Sequence, residues 1–272
     1  MPATEHRPAN QPSAVDAAPV DTVLFDLDDT LIVDRDTTWA AVRTIAQSVA
    51  SANPDQTETV IRTTVEEVWG EAPCHAVAES IGTNPWEVLW STFEGCHERL
   101  DPLRDWAATF QSAAWDRVAK QLGLDDTGAA TRMAEQYLAL LRAPHPPAVG
   151  VVELVESLSL THRLGVVTNG PSDIQRHKLS GFELTSHFGT VVISGDVGTG
   201  KPDPVVFRLA LEGLGADPAR SVMVGDNWAR DIVGATGAGL RAIWISHGRP
   251  APGTLPGVQI VTNCTEVAGL LP

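Results

Sequence analysis

Short apolar runs that stop at turn or acidic residues recur along the chain, beginning at Asp21 with DTVLF and again at 164–167, 190–193, 221–224, 240–245 and 258–261. Runs of this length fit buried strands better than helices. Stretches of helical spacing, such as PVVFRLALEGLG and ARDIVGATGAG, lie between the later runs. Alternation of strand and helix over 147–272 predicts a parallel sheet, because parallel neighbours need a crossover long enough to hold a helix.

The first strand stands apart from the others. Residues 34–146 read as helical throughout, with Trp39, Val42, Ile45 and Val49 on one stripe. Further stripes are formed by Leu103, Trp106, Phe110, Ala114, Val118 and Leu122, and by Met133, Tyr137, Leu140 and Leu141. Asn84-Pro85-Trp86-Glu87 supplies an N-cap, a proline at the first helical position and a capping-box acid. PHPPAVG at 144–150 returns the chain to the sheet. The expected architecture is therefore an α/β fold. A Rossmann-like parallel sheet core of 21–33 and 147–272 carries an inserted all-helical cap domain at 34–146. Residues 1–20 are Pro- and Ala-rich, carry a Glu and lack an apolar signal-peptide core, so a disordered tail on a cytoplasmic protein is expected.

Charge narrows the partners. With 19 Lys and Arg against 34 Asp and Glu, the formal charge is −15, which disfavours nucleic acid and anionic membrane surfaces. An anionic ligand must be held by a local positive cluster, yet the chain has only three lysines, Lys120, Lys178 and Lys201. No apolar run approaches the roughly 18 residues of a membrane span. Cys74, Cys96 and Cys264 are odd in number and widely spaced, which fits a reducing compartment. Cys74-His75 and Cys96-His97 would chelate zinc poorly, since adjacent helical residues point about 100° apart.

The strand ends carry the polar chemistry. Strand one runs into Asp26-Leu27-Asp28-Asp29-Thr30, the 164–167 strand into Thr168-Asn169-Gly170, and the 221–224 strand into Gly225-Asp226. Lys201 follows the Gly-rich GDVGTG and precedes a helix, which puts it at the same edge. Ligands of open α/β sheets bind beyond the carboxyl ends of strands. One such motif is ordinary turn chemistry, whereas four in order argue for a site.

On these motifs the sequence resembles the haloacid dehalogenase superfamily, in its phosphatase type with a helical cap after strand one. The resemblance spans about residues 21–272. DLDDT resembles the Asp-x-Asp-x-Thr motif, Thr168 the Ser/Thr motif, Lys201 the lysine motif, and Gly225-Asp226 through Asp231 the acidic motif. FDLDDTL and TNG together resemble nucleotide and acyl-sugar phosphate phosphatases. The resemblance implies a Mg²⁺-dependent hydrolase of a small phosphorylated metabolite acting through an aspartyl phosphate. It implies Asp26 as nucleophile and Asp28 as general acid and base. Thr168, Asn169 and Lys201 would bind substrate, with Thr168 and Lys201 also catalytic. Asp26, Asp28 through its backbone carbonyl, and Asp226 would hold the metal, and Asp231 would complete the outer shell or orient Lys201.

Countercharge explains this grouping. A phosphate dianion beside an attacking carboxylate costs on the order of 4 kcal/mol per like-charge pair at about 4 Å and an effective dielectric near 20. A dication and Lys201 offset that repulsion.

Other readings differ in what they require. A phosphomutase shares the nucleophile and the acid–base Asp. A 2-haloacid dehalogenase needs no metal and lacks an acid at the Asp28 position. A phospho-signalling receiver is about half this length, and a non-catalytic binding protein would be expected to have lost a motif. For the tryptophans of 34–146, packing between helices is expected over stacking on substrate, with Trp39 and Trp228 closest to the motifs. Arg35, Gln175 and Arg176 are further candidates for substrate contact. A monomer or a homodimer is expected.

Overall fold

The computed structural model describes residues 19–49, 53–124 and 126–271. The tail expected at 1–20 falls almost wholly outside them. Six strands form one parallel sheet: β1 (Thr22–Phe25), β2 (Arg163–Thr168), β3 (Thr190–Ile193), β4 (Ser221–Gly225), β5 (Arg241–Ile245) and β6 (Val258–Val261). Their order is β3-β2-β1-β4-β5-β6. All six runs marked in the sequence are strands.

Both faces of this sheet are covered, as parallel strands require. On β1, Val23 and Phe25 enter one apolar core and Leu24 the opposite one. β4 repeats the division with Val222 and Val224 against Met223, and β5 with Ile243 and Ile245 against Ala242 and Trp244. The two-residue period of a strand places successive side chains on opposite faces, so each strand feeds two cores. Among the fully buried side chains is Phe25; truncation to Ala at such a position costs about 3–5 kcal/mol.

Between β1 and β2 the chain is helical: α1 (Arg35–Val49), α2 (Pro54–Gly70), α3 (His75–Ile81), α4 (Pro85–Val88), α5 (Asp101–Gln121), α6 (Ala129–Leu141) and α7 (Val151–Ser159). α1, α2, α5 and α6 pack on one another around a separate apolar core that includes Ile45, Ile61, Phe110, Trp115 and Tyr137. The Asn84 side chain accepts from the backbone of Trp86 and Glu87, and Glu87 returns to the Asn84 backbone, so the expected capping box forms. Its helix is a single turn.

The rest of the core comprises α8 (Ser172–Ser180), α9 (Ser194–Val197), α10 (Pro204–Leu214), a π-helical turn at Trp228–Val233 and α11 (Gly234–Gly237). Ile174 of α8 packs into the core of the helical insert. Around β1 the connectivity reverses: β2 and β3 extend to one side, β4 to β6 to the other. Such a switch point opens a crevice beyond the strand ends. Among the described residues, no helix is long and apolar enough to cross a membrane.

Candidate active site

At the end of β1 the Asp26 N–H still donates to Val224 O, which fixes that residue in the sheet. The chain then turns sharply, with Leu31 and Ile32 N–H both donating to Leu27 O and Asp29 at φ 57°. This turn brings Asp26 and Asp28 into one cleft of about 300 Å³, together with Lys201, Asp231 and residues of the helical insert. The Asp29 carboxylate accepts from the Asp34 and Arg35 N–H groups and so starts α1.

Buried Lys201 donates to Asp26 Oδ1. Its Nζ also lies 2.7 Å from Asp231 Oδ1, a contact with ion-pair distance but without hydrogen-bond alignment. Asn169 clamps the Lys201 backbone, its Oδ1 accepting from the Lys201 N–H at 2.8 Å and its Nδ2 donating to the carbonyl at 2.9 Å. The side-chain amide expected to bind substrate is thus engaged in holding the lysine loop. Thr168 Oγ1, at the end of β2, is buried and without a hydrogen-bond partner.

The carboxylates that could share one ion are Asp26, Asp226 and Asp231, whose ligand atoms lie within 4.8 Å of one another. Two of these carboxylates, Asp26 and Asp226, are the expected ones, the third expected ligand being the Asp28 backbone carbonyl; Asp231, expected in the outer shell or on Lys201, stands close enough to join them. The Asp28 carboxylate turns to α8, where Lys178 Nζ donates to Oδ1 at 2.9 Å and Gln175 Nε2 to Oδ2 at 3.0 Å. Asp231 enters because Asp226 is preceded by glycine: a Cβ on Gly225 would lie 2.3 Å from Asp231 Oδ2. That oxygen accepts from the Asn227 N–H at 2.8 Å. Arg249 donates to Asp226 at 3.0 Å, and Arg35 reaches it at 3.5 Å.

Burial raises the proton affinity of Asp26, Lys201 opposes that rise, and Asp231, Asp226 and Asp28 add to it. Asp226 is raised too, by burial and then by Asp231 and Asp29. Three crowded carboxylates facing one lysine form an all-oxygen donor set with excess negative charge, which suits a hard dication. The residues present therefore fit a Mg²⁺-like ion.

Three more carboxylates converge on Lys178. Asp34 Oδ1 lies 2.7 Å from its Nζ and Glu87 Oε1 3.7 Å away, besides Asp28. Burial alone would depress the lysine, but Asp28, Asp34 and Glu87 together hold it well above its ordinary value. Burial pushes Asp28 up to about 6 and Glu87 up to about 7. A carboxyl whose folded value is raised binds protons more tightly in the native state, so its contribution to stability falls as pH rises through that value. For Glu87 the window runs from about 4.5 to about 7. Glu87→Gln removes this titration but sets an amide NH2 against a donor, because Thr83 and Asn84 donate to one Glu87 oxygen and Gln175 to the other. Whatever the net change in stability, the variant should flatten its pH dependence between about 4.5 and 7. Thermal melts of both proteins across that range check this.

Lys178, Glu87 and Asp34 were not picked out from the sequence as site residues. Gln175 and Lys178 lie three apart on a helix directly after Thr168-Asn169-Gly170, so both face the strand end; that spacing was the available signal. Trp86 and Trp90 are buried in the core of the helical insert, as the spacing predicts, and also line the cleft beside Trp39. Trp228 instead packs edge-on against Trp244. Arg176 pairs with Asp196 at 2.9 Å. The two Cys-His pairs make separate bonds, His75 with Trp69 O nearby in sequence and Cys96 Sγ with the Ser172 N–H at the start of α8.

The family model of haloacid dehalogenase-like hydrolases matches residues 20–239. A phosphoserine phosphatase of Thermus thermophilus is 35% identical over 231 residues, covering 83% of this chain and 88% of the relative. A pyrimidine 5'-nucleotidase of Escherichia coli is 32% identical over 52% of this chain and 63% of its own length. Among solved structures, a magnesium-bound HAD-hydrolase from Bacillus subtilis superposes with a TM-score of 0.64 at 20% identity, covering 93% of this chain and 99% of that one. A 2-haloacid dehalogenase of Pseudomonas syringae gives a TM-score of 0.54 at 26% identity over 93% and 98%. With motif order, sheet topology and these similarities in agreement, the chain belongs to the haloacid dehalogenase-like hydrolase family.

Proposed function

We propose that the protein is a Mg²⁺-dependent phosphatase of a small phosphorylated metabolite, acting through a phosphoaspartate on Asp26. It is a phosphoric monoester hydrolase within its family. The reading rests on Asp26 standing against Lys201 and within ligand distance of Asp226 and Asp231, while Asp28 faces the same cleft on its own hydrogen bonds. The partnerless Thr168 hydroxyl supports it as a donor for a phosphoryl oxygen. A second acid at the Asp28 position disfavours the dehalogenase reading, in which no alkoxide has to be protonated.

Asp26 Oδ attacks phosphorus, and the bond to the leaving oxygen breaks as Asp28 gives it a proton. Water then attacks the phosphoaspartate, Asp28 takes the water's proton, and the electron pair of the broken P–O bond returns to Asp26. Lys201 and Thr168 meet the charge spread over the phosphoryl oxygens. Asp26, Asp226, Asp231 and the Asp28 carbonyl are the groups that would hold Mg²⁺, which would supply the remaining positive charge. A mutase would share this first half-reaction.

The helical segment 34–146 is the cap in this reading, over a core of 21–33 and 147–272, and it governs which leaving group enters. Relatives named for phosphoserine, N-acylneuraminate 9-phosphate and glyceraldehyde 3-phosphate differ in the leaving group. Aromatic walls from Trp39, Trp86 and Trp90 favour a leaving group with an apolar face. Arg230, which lines the cleft and donates to Gly82 O at 2.8 Å, is positioned to meet a polar or anionic part of it.

The test is a panel of phosphate monoesters assayed with the wild type and with Trp39→Ala and Arg230→Ala. Both substitutions should lower kcat/KM for the preferred ester at least about tenfold more than for p-nitrophenyl phosphate, whose leaving group needs little help. Equal losses on both substrates for Trp39→Ala, with the fold intact, would contradict the division between cap and core; equal losses for Arg230→Ala, a core residue, would contradict its place at the leaving group.

A further inference from the structure

We infer that Lys178 and Gln175 are positioning residues that fix the Asp28 carboxylate for its two proton transfers, and that the helical insert joins this assembly through Glu87. The inference rests on the phosphatase reading of the site.

Each oxygen of Asp28 has its own donor, Lys178 Nζ on Oδ1 at 2.9 Å and Gln175 Nε2 on Oδ2 at 3.0 Å. A carboxylate held at both oxygens cannot rotate about its last torsion without losing a bond. The holders are themselves fixed. Gln175, fully buried, also has Nε2 within hydrogen-bond distance of Asn169 O at 2.9 Å and of Glu87 Oε1 at 3.2 Å, so its two hydrogens are shared among three acceptors that surround it. Lys178, 2% exposed, is tied to Asp34 at 2.7 Å. Asn169 in turn grips the Lys201 backbone, so one residue links the support of Asp28 to that of the lysine beside Asp26. A buried ion cluster is weak evidence for stability, since desolvation offsets most of the attraction. What it supplies here is geometry: a displacement of about 1 Å in a proton-transfer group can cost on the order of 100-fold in rate. Glu87 comes from the insert and its other oxygen accepts from Thr83 Oγ1 at 2.8 Å, so docking of the 83–88 segment completes the enclosure around Asp28.

The two half-reactions separate this role from a structural one. p-Nitrophenolate leaves without a proton, so formation of the phosphoenzyme scarcely needs Asp28, whereas its hydrolysis needs the base. Rapid mixing of p-nitrophenyl phosphate with Gln175→Leu and with Lys178→Met should give a burst of about one nitrophenolate per site. Its rate should stay within about threefold of wild-type phosphorylation, and the following steady rate should fall about 10- to 100-fold. Lys178→Met leaves three buried acids without their cation and can fail to fold. Gln175→Leu, neutral for neutral, then carries the test, with circular dichroism as the check. Wild-type steady rates in a folded variant, or equal slowing of both phases, would overturn the positioning role. A wild type that releases no phosphate from any monoester would instead overturn the phosphatase reading.

Discussion

Asp26→Asn abolishes turnover in this account, with kcat for any phosphate monoester falling by about four orders of magnitude. The amide keeps the size and hydrogen-bonding reach of the carboxylate but is not a nucleophile toward phosphorus, so no phosphoenzyme forms. The side chain is buried and its acid form favoured by burial and by Asp231 and Asp226, so the neutral replacement relieves crowding. Lys201 keeps Asp231 as its counterion at 2.7 Å. The variant should therefore fold with unchanged or higher thermal stability, and bind substrate at least as well, because one repulsion of about 4 kcal/mol with the phosphate is removed. Phosphate release and a binding isotherm measured on one preparation check both halves. Loss of activity with loss of fold would not fit this account, nor would turnover near the wild-type rate.

Chelation is expected to have an effect of similar size. Lys201 alone faces Asp26 and Asp231, and the arginines that reach Asp226 do so from the rim, Arg249 at 43% and Arg35 at 51% side-chain exposure. A phosphate dianion entering that cluster needs more positive charge than these provide. EDTA should therefore reduce kcat at least about 10³-fold, and Mg²⁺ should restore it. Ca²⁺, larger and suited to more ligands, should restore little. A readout independent of activity is thermal: saturating Mg²⁺ at about 100 times Kd stabilises the native state by about 2.7 kcal/mol. For a chain of this size that is a rise of roughly 5–10 °C in Tm. Asp231→Asn should shrink this shift, as a ligand would, while a substitution of exposed Glu266 should not.

The strands were legible because burial on both faces makes each a short unbroken apolar run, and the site edge because acids, Thr168 and Lys201 sit where those runs stop. The capping box at Asn84 was legible for the same local reason. What was not legible depended on folding back over long separations. Asp231, expected to complete the outer shell or orient Lys201, does stand beside Lys201, and what the motif did not show is that the missing Cβ of Gly225 brings its carboxylate among the ligands as well. Lys178 meets Asp28 across 150 positions of sequence, and Gln175 meets Glu87 across 88. Periodicity marked Trp86 and Trp90 as apolar-face residues, which they are, but it does not say that the face borders a cleft. The motif that suggests Asn169 as a substrate contact does not show that its side chain also holds the Lys201 backbone through two hydrogen bonds.

The central claim is that phosphorus is carried for part of each turnover on Asp26. Quenching the wild-type enzyme during turnover of a phosphate monoester with Mg²⁺, reducing with borohydride and sequencing the peptides by mass spectrometry tests it directly, because borohydride converts an aspartyl phosphate to homoserine. Homoserine at position 26 is predicted, absent from Asp26→Asn and from samples without substrate. Reduction at another acid, or at none while phosphate is being released, would contradict the account.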